Sequence, residues 1–471
     1  MIRLTSSRLT VRRDRPNLVT IHDDNLPFLV AAIALCGLAL ILPAQADTFY
    51  HLRSGQAMWD TGWFLMHEPF SYTAFGEPLA NHWWLSQLLF YATLSAGGPL
   101  LLTALAGGCA ALALFLSWSL LRGSFETRVF ASLAFVLVFP QWSVRPQVIS
   151  MLMLMLTARL IIADRLRWIP LLMLVWANMH ALVALGLVLP AAAVVEAILW
   201  SRQRLMTRAA VLVAATAAPM VSPLGVHYWP RVLETVTLSR ELGVFEYRSA
   251  FNTGDALAVW PAVLAFAWIA LRHRSQLRRL PSGERALALA SGVFAIAAIL
   301  SVRNAAFFVL VATPVMSWLL SQSQAWRAPR PVSKPALLVV AATAVLVTAL
   351  VVFRWREGGA HVGWRPLRDE AIAAIRACPE PTYNDFGDGG LLMWFVPERQ
   401  VFVDGRVEAY PGDFLKQVAR VSNTGDYDRL FSEHRIRCAV VGAQTPMARA
   451  LRSNPEFHVS YSDERWVVFV R

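Results

Sequence analysis

The stretch "LPAQADTFYHLRSGQAMW" sets Asp47, His51 and Arg53 just past the end of the first apolar run. A carboxylate there can take a proton as a general base or bind a metal, and an imidazole one helical turn on can share that work. The same carboxylate has a plainer use, capping a helix that starts at Thr48. Farther along, Arg145 in "SVRPQ" and Arg303 in "SVRNAAFF" each close one apolar run and open the next. Guanidinium forks bind phosphate through two parallel hydrogen bonds, so these two predict a lipid phosphate; the plainer use is contact with headgroups. His180 in "WANMHALVALG" lies between two runs beside Asn178, placed either for function or for packing. Glu68 in "MHEPFSYTAF" precedes a proline in a turn-rich stretch, His82 follows in "LANHWW", and Glu246 lies in "FEYRSAF". Ionisable groups near membrane depth are costly and usually face a cavity or pathway, which makes function the default expectation for this set.

Membrane helices have to position these groups. Of the 471 residues 56% are hydrophobic and only 16% charged, which excludes an ordinary soluble enzyme. Apolar runs recur from Leu26 to Phe353, each bounded by Arg, Pro or Gly. A bilayer core needs about 20 apolar residues per helix, so the chain is an α-helical polytopic membrane protein. The first run stays as an anchor, because many further spans follow it. The net charge of +12 is carried almost wholly by Arg, since Lys occurs only at Lys334 and Lys416. That charge sits in short loops between spans, so it predicts membrane orientation and no nucleic-acid partner.

Loop charge decides which end of each helix faces which side. With the basic segment 1–25 inside and "WWLSQLLFYATLSA" (83–96) lying at the interface, the loops "LRGSFETR", "DRLR", "SRQRLMTR", "RHRSQLRR" and "QAWRAPRPVSK" all fall on the cytoplasmic side. The reading gives about eleven spans, and counting 83–96 as a span gives about twelve and inverts every later loop. The expected organisation is a cytoplasmic N-terminus (1–25), a membrane domain (26–354) with a first external loop at 44–98, and a periplasmic C-terminal domain (355–471). Asp47, His51, Glu68, His82, Arg145, His180, Glu246 and Arg303 then share the exported face.

Past Trp355 charged residues and Gly rise, and no run is long enough to span. There "RDEAIAAIRA", "GDFLKQVARV" and "YDRLFSEH" predict helices, "RQVFVDGR" and "RCAVVGA" short strands, and "SYSDERWVVFVR" a hairpin. A small soluble α/β domain follows. If it is exported, Cys378 and Cys438 lie in an oxidising space and are able to pair. No P-loop, dinucleotide-binding glycine motif, HExxH or GxSxG occurs, and no two Cys have metal-ligand spacing.

In this order, "DTFYHLRSGQ", "HEPFSYTAFGEPLANHWWLSQLLFYATLSAGG", "RPQ", "WANMHALVALG", "SPLG", "EYRSAF", "RNAAFF" and "YNDFGDGGLLMWFVPERQVFVDGRVEAY" resemble bacterial multi-span proteins related to the GT-C glycosyltransferases. That superfamily includes oligosaccharyltransferase catalytic subunits, protein mannosyltransferases and aminoarabinose transferases. The resemblance implies a GT-C-like membrane domain in the bacterial inner membrane and a sugar donor linked to a polyprenyl phosphate. It further implies inverting transfer to an exported glycan, lipid or protein acceptor. Asp47 matches the acidic residue that follows the first span and serves as base or metal ligand, with His51 beside it as a candidate partner. Arg145, Arg303 and His180 become candidates for the donor phosphate, and His82, Glu68 and Glu246 for the acceptor side and cavity wall. Many relatives carry paired acids where "ADTFYHLR" offers one, which leaves a divalent metal (Mg or Mn) open and Glu68 as a candidate second carboxylate. The alternative is a non-catalytic scaffold or lipid-glycan transporter that keeps the shape.

Overall fold

The computed structural model describes residues 26–123, 125–202, 204–252, 259–321 and 334–471. The basic segment 1–25 and most of the basic loop 324–334 lie outside the described residues. Among those described, four helices are long and apolar enough to cross a bilayer: Trp84–Trp118, Val183–Ser201, Ser282–Leu300 and Val302–Ser321. Two sharply bent pairs raise the number to six, Leu205–Met220 with Gly225–Glu241 and Leu338–Arg354 with Arg356–Val362. Shorter apolar helices stand between them, among them Gln147–Ile162 and Val259–Arg272.

Local chemistry explains the breaks. The 35-residue helix Trp84–Trp118 has non-helical backbone at Gly97 and Gly98, ahead of Pro99. Gly98 sits at φ 69°, which costs a residue without a Cβ little, so the polar first half can turn away from the spanning second half. The sequence divides the segment at the same glycines. Helices approach closely where a side chain is missing: a Cβ on Gly107 would meet the Ala39 carbonyl oxygen of the first helix, Leu26–Ala39, at 1.9 Å. Val302–Ser321 is the central helix, with every residue from Ala305 to Leu319 buried. At the far end of Val183–Ser201 from His180, the buried Glu196 accepts hydrogen bonds from Arg208, Arg285 and Ser282 and ties three helices together.

The C-terminal α/β part is a four-stranded sheet of β1 (Thr382–Asn384), β2 (Cys438–Gly442), β3 (His458–Ser462) and β4 (Trp466–Val470). Its order is β1-β2-β4-β3, with β1 and β2 parallel and the closing hairpin antiparallel. The helices Asp369–Ala377, Gly412–Thr424 and Asp428–Glu433 fall where the periodicity put them. Cys378 and Cys438 are joined by a disulfide, with Cα atoms 5.8 Å apart, fastening the chain ahead of β1 to β2.

"RQVFVDGR" differs from the expected strand. Val401 makes one isolated bridge to Ser71 and donates its N–H to the Phe70 carbonyl, while Phe402 donates to the Asn384 side chain. Its backbone groups are satisfied by the first external loop and a side chain, so no ladder forms. The Gly389–Phe395 helix then packs on the start of the Ala46–Thr61 helix. Glycines permit this, since a Cβ on Gly390 would lie 2.3 Å from the Ala46 carbonyl oxygen and one on Gly389 2.1 Å from that of Val403.

Candidate active site

The Ala46–Thr61 helix begins with Gln45 as N-cap, and Gln45 and Thr48 form a reciprocal capping box. The plainer use foreseen for Asp47 is therefore taken by Gln45, and Asp47 stands in the first turn with its carboxylate free for other work. Val144 donates its N–H to the Pro43 carbonyl and accepts from the Thr48 hydroxyl at 2.8 Å. Those two bonds pin the turn before Gln147–Ile162 against the helix start and carry Arg145 to Asp47. A matching pair, Ser301 to the Glu246 carbonyl (2.9 Å) and Val302 to the Arg248 carbonyl (3.1 Å), carries Arg303 to Glu246.

The result is a row of alternating charge. Arg145 Nη1 donates to Asp47 Oδ2 at 3.0 Å and its Nη2 to Glu246 Oε1 at 2.8 Å. Arg303 Nη1 lies 3.3 Å from Glu246 Oε2, donates to the Tyr247 hydroxyl at 3.0 Å, and its guanidinium covers the Tyr247 ring. The Asp47 side chain keeps 35% of its surface and the other three between 12% and 23%, so the row is half-dry and its Asp47 end is the most open. Burial pulls the Arg145 guanidinium down, but Glu246 and Asp47 outweigh it and hold it above its ordinary value. Burial pushes the Glu246 carboxyl up, and Arg303 and Arg145 outweigh that, keeping it below the usual carboxylate range. Arg303 Nε has no partner among the described residues.

The other candidates divide into two groups. His51, His82 and His180 surround the Trp83 indole, with ring centroids 5.7, 5.6 and 6.2 Å from it. All three are buried and neutral. Burial is the main cause in each case, and it pushes His82 down to about 4. His51 Nδ1 stands 3.3 Å from Gln87 Nε2, and His180 Nδ1 accepts from the Leu182 N–H. Among the described residues neither His82 nitrogen makes a hydrogen bond of good geometry, the Ala80 backbone being the polar group that acts on the ring. No hydrogen bond joins His51 to Asp47 among the described residues, so the two act separately here.

Glu68 belongs to a second ion cluster. Its Oε1 accepts from the Phe70 and Ser71 N–H groups, and its Oε2 lies 2.7 Å from Arg406 Nη1, off the line of a hydrogen bond. Arg406 aims its directional bonds at Asp404, which also accepts from the Tyr410 hydroxyl. The sequence did not single out Arg406 or Asp404; an acid and a base flanking a glycine inside an apolar stretch was the signal available. This cluster holds Gly405 against Asp47: a Cβ there would lie 3.3 Å from Asp47 Oδ1 and 3.4 Å from the Tyr50 ring. The C-terminal segment is therefore a wall of the same site.

A divalent cation does not fit these side chains. Asp47 Oδ2 is bonded to Arg145, Glu246 lies across the same guanidinium, and no three His, Cys, Asp or Glu converge among the described residues. Arg145 already supplies the positive charge between the two carboxylates.

No protein-family model matches the chain, and no curated protein matches it in sequence. Solved structures do match. The apo oligosaccharyltransferase of Archaeoglobus fulgidus superposes over 89% of this chain and 70% of its own, at 13% identity and a TM-score of 0.53. ArnT from Cupriavidus metallidurans bound to undecaprenyl phosphate superposes over 94% of this chain and 97% of its own, at 14% identity and a TM-score of 0.50. The chain has the GT-C fold. The resemblance carried by the sequence motifs is thus matched in three dimensions across nearly the whole length.

Proposed function

We propose that this GT-C protein is a glycosyltransferase of the bacterial inner membrane that moves a sugar from a polyprenyl-phosphate carrier to an exported acceptor. The observation that carries the reading is the row Asp47–Arg145–Glu246–Arg303, two carboxylates and two guanidinium groups held at one edge of the membrane helices. In this reading residues 1–25 are cytoplasmic, 26–354 form the membrane domain with external loop 44–98, and 355–471 are periplasmic, with about eleven spans. Lipid phosphate suits the row because Arg145 and Arg303 flank a single carboxylate, Glu246. The bound undecaprenyl phosphate of ArnT, a protein of the same fold, supports that donor class.

The acceptor oxygen attacks the anomeric carbon as the bond from that carbon to the phosphate oxygen breaks, inverting the centre. The hydroxyl proton goes to Asp47 Oδ1, which accepts no bond from any described residue, while Oδ2 stays fixed by Arg145. The charge growing on the departing phosphate falls between Arg145 and Arg303, fixed donors in a half-dry setting. His180, His51 and His82 act as neutral walls that exclude water from the reacting atoms. The test is complementation of a deletion strain with Asp47→Asn while its envelope glycans are profiled. Loss of a general base lowers transfer by about 10²–10⁴-fold. Full restoration of the glycan by stably expressed Asp47→Asn overturns the role of Asp47, and glycans unchanged by the deletion itself overturn the transferase reading.

A further inference from the structure

A cleft lined by none of the four residues of the row lies elsewhere on the molecule. It holds about 670 Å³ between the outer helix Tyr228–Glu241, the turn at Glu77–Ala80 and the segment Val407–Lys416. Three stretches far apart in sequence make it, and all three fall on the face expected to be exported. Its volume is that of a small-molecule site, about 300–1,000 Å³. The cations on its rim are already matched: Arg231 pairs with Glu234 and Lys416 with Glu241, both at 2.8 Å. Two carboxylates remain over, Glu77 and Glu408. Apart from its own backbone N–H, Glu408 has no hydrogen-bond partner among the described residues. Thr235 and Thr237 add hydroxyls to the wall.

We propose that this cleft is the acceptor subsite, that it takes an uncharged saccharide, and that Glu408 is the residue that grips a sugar hydroxyl. Its role as acceptor subsite rests on the transferase reading; saccharide binding does not. An anionic ligand finds no free cation there and meets the Glu77 carboxylate instead. A polyol finds both donors and acceptors, because burial, with Asp404 and Glu68 adding to it and Arg406 opposing, pushes Glu408 up to about 8 and leaves it protonated at neutral pH. The segment that supplies Glu408 also supplies Gly405, three residues earlier, where a Cβ would lie 3.3 Å from Asp47 Oδ1. One short segment thus lines the cleft at Glu408 and packs on the Asp47 end of the row at Gly405.

The experiment uses the full chain in lipid nanodiscs and saturation-transfer NMR at pH 7. The probes are a neutral trisaccharide series (mannotriose, chitotriose), trigalacturonate and an uncharged Ser/Thr pentapeptide. At least one neutral trisaccharide is expected to bind, roughly tenfold more weakly to Glu408→Ala and within about twofold of wild type to Glu408→Gln. Thr237→Trp, which fills the cleft from an exposed position, abolishes binding without touching the core. Unchanged binding to either Glu408→Ala or Thr237→Trp, equal binding of trigalacturonate, binding of the peptide alone, or no trisaccharide binding at all overturns the proposal. Undecaprenyl phosphate binding to the same samples separates the two readings: lipid binding without saccharide binding removes the cleft only, and loss of both removes the transferase reading as well.

Discussion

Arg406 is the fastener whose removal tests most directly how the two halves of the site are joined. Its side chain is 1% exposed, and the two carboxylates it serves, Glu68 from the first external loop and Asp404 from the C-terminal segment, are wholly buried. Breaking a buried ion pair by deleting one partner costs about 3–5 kcal/mol, because the other charge is left dry. Here two carboxylates lose one cation, so Arg406→Met is expected near the upper end of that range. At about 2.1 cal/mol/K of unfolding entropy per residue, a chain of 471 residues shifts by about 1 °C per kcal/mol, so the thermal midpoint falls by about 3–5 °C. Tryptophan fluorescence of the protein in detergent reads the change, with Trp394 on the Gly389–Phe395 helix as an internal reporter. Replacing the whole cluster by Glu68→Gln, Asp404→Asn and Arg406→Met leaves no buried charge and recovers most of the loss. A midpoint within about 1 °C of wild type refutes the idea that this cluster holds the wall of the site in place.

Two further perturbations test other joints. Gly390→Ala sets a Cβ 2.3 Å from the Ala46 carbonyl oxygen, next to Asp47, and is expected to cost about 1–3 kcal/mol and to lower glycan transfer, whereas Gly387→Ala, with open space around it, does neither; equal effects at the two glycines speak against the close approach. Cys378→Ser opens a link across 60 residues and is expected to cost about 4 kcal/mol through the unfolded chain; labelling of both thiols in denatured, unreduced wild-type protein with a maleimide removes that expectation.

Much of this protein was legible in its sequence because the relevant physics is local. A bilayer demands apolar length, a helix ends at paired glycines, and a sheet-forming stretch alternates, so the helical membrane class, the break at Gly97–Gly98 and the closing α/β unit all follow from neighbours in the chain. Residue type alone also marked Asp47, Arg145, Glu246 and Arg303 as groups too costly to place near lipid without a purpose. Pairing was not legible. Asp47 and Arg145 are 98 residues apart, and what joins them is the Val144 backbone, which carries no compositional signal. Glu68 was as plausible beside Asp47 as anywhere in its loop until Arg406 claimed it from the other end of the chain. "RQVFVDGR" had the alternation of a strand and lost the ladder because Phe70 and Asn384 supplied its hydrogen-bond partners first. Buried charge is settled by whichever opposite charge the fold brings within reach, and only the tertiary structure decides that distance.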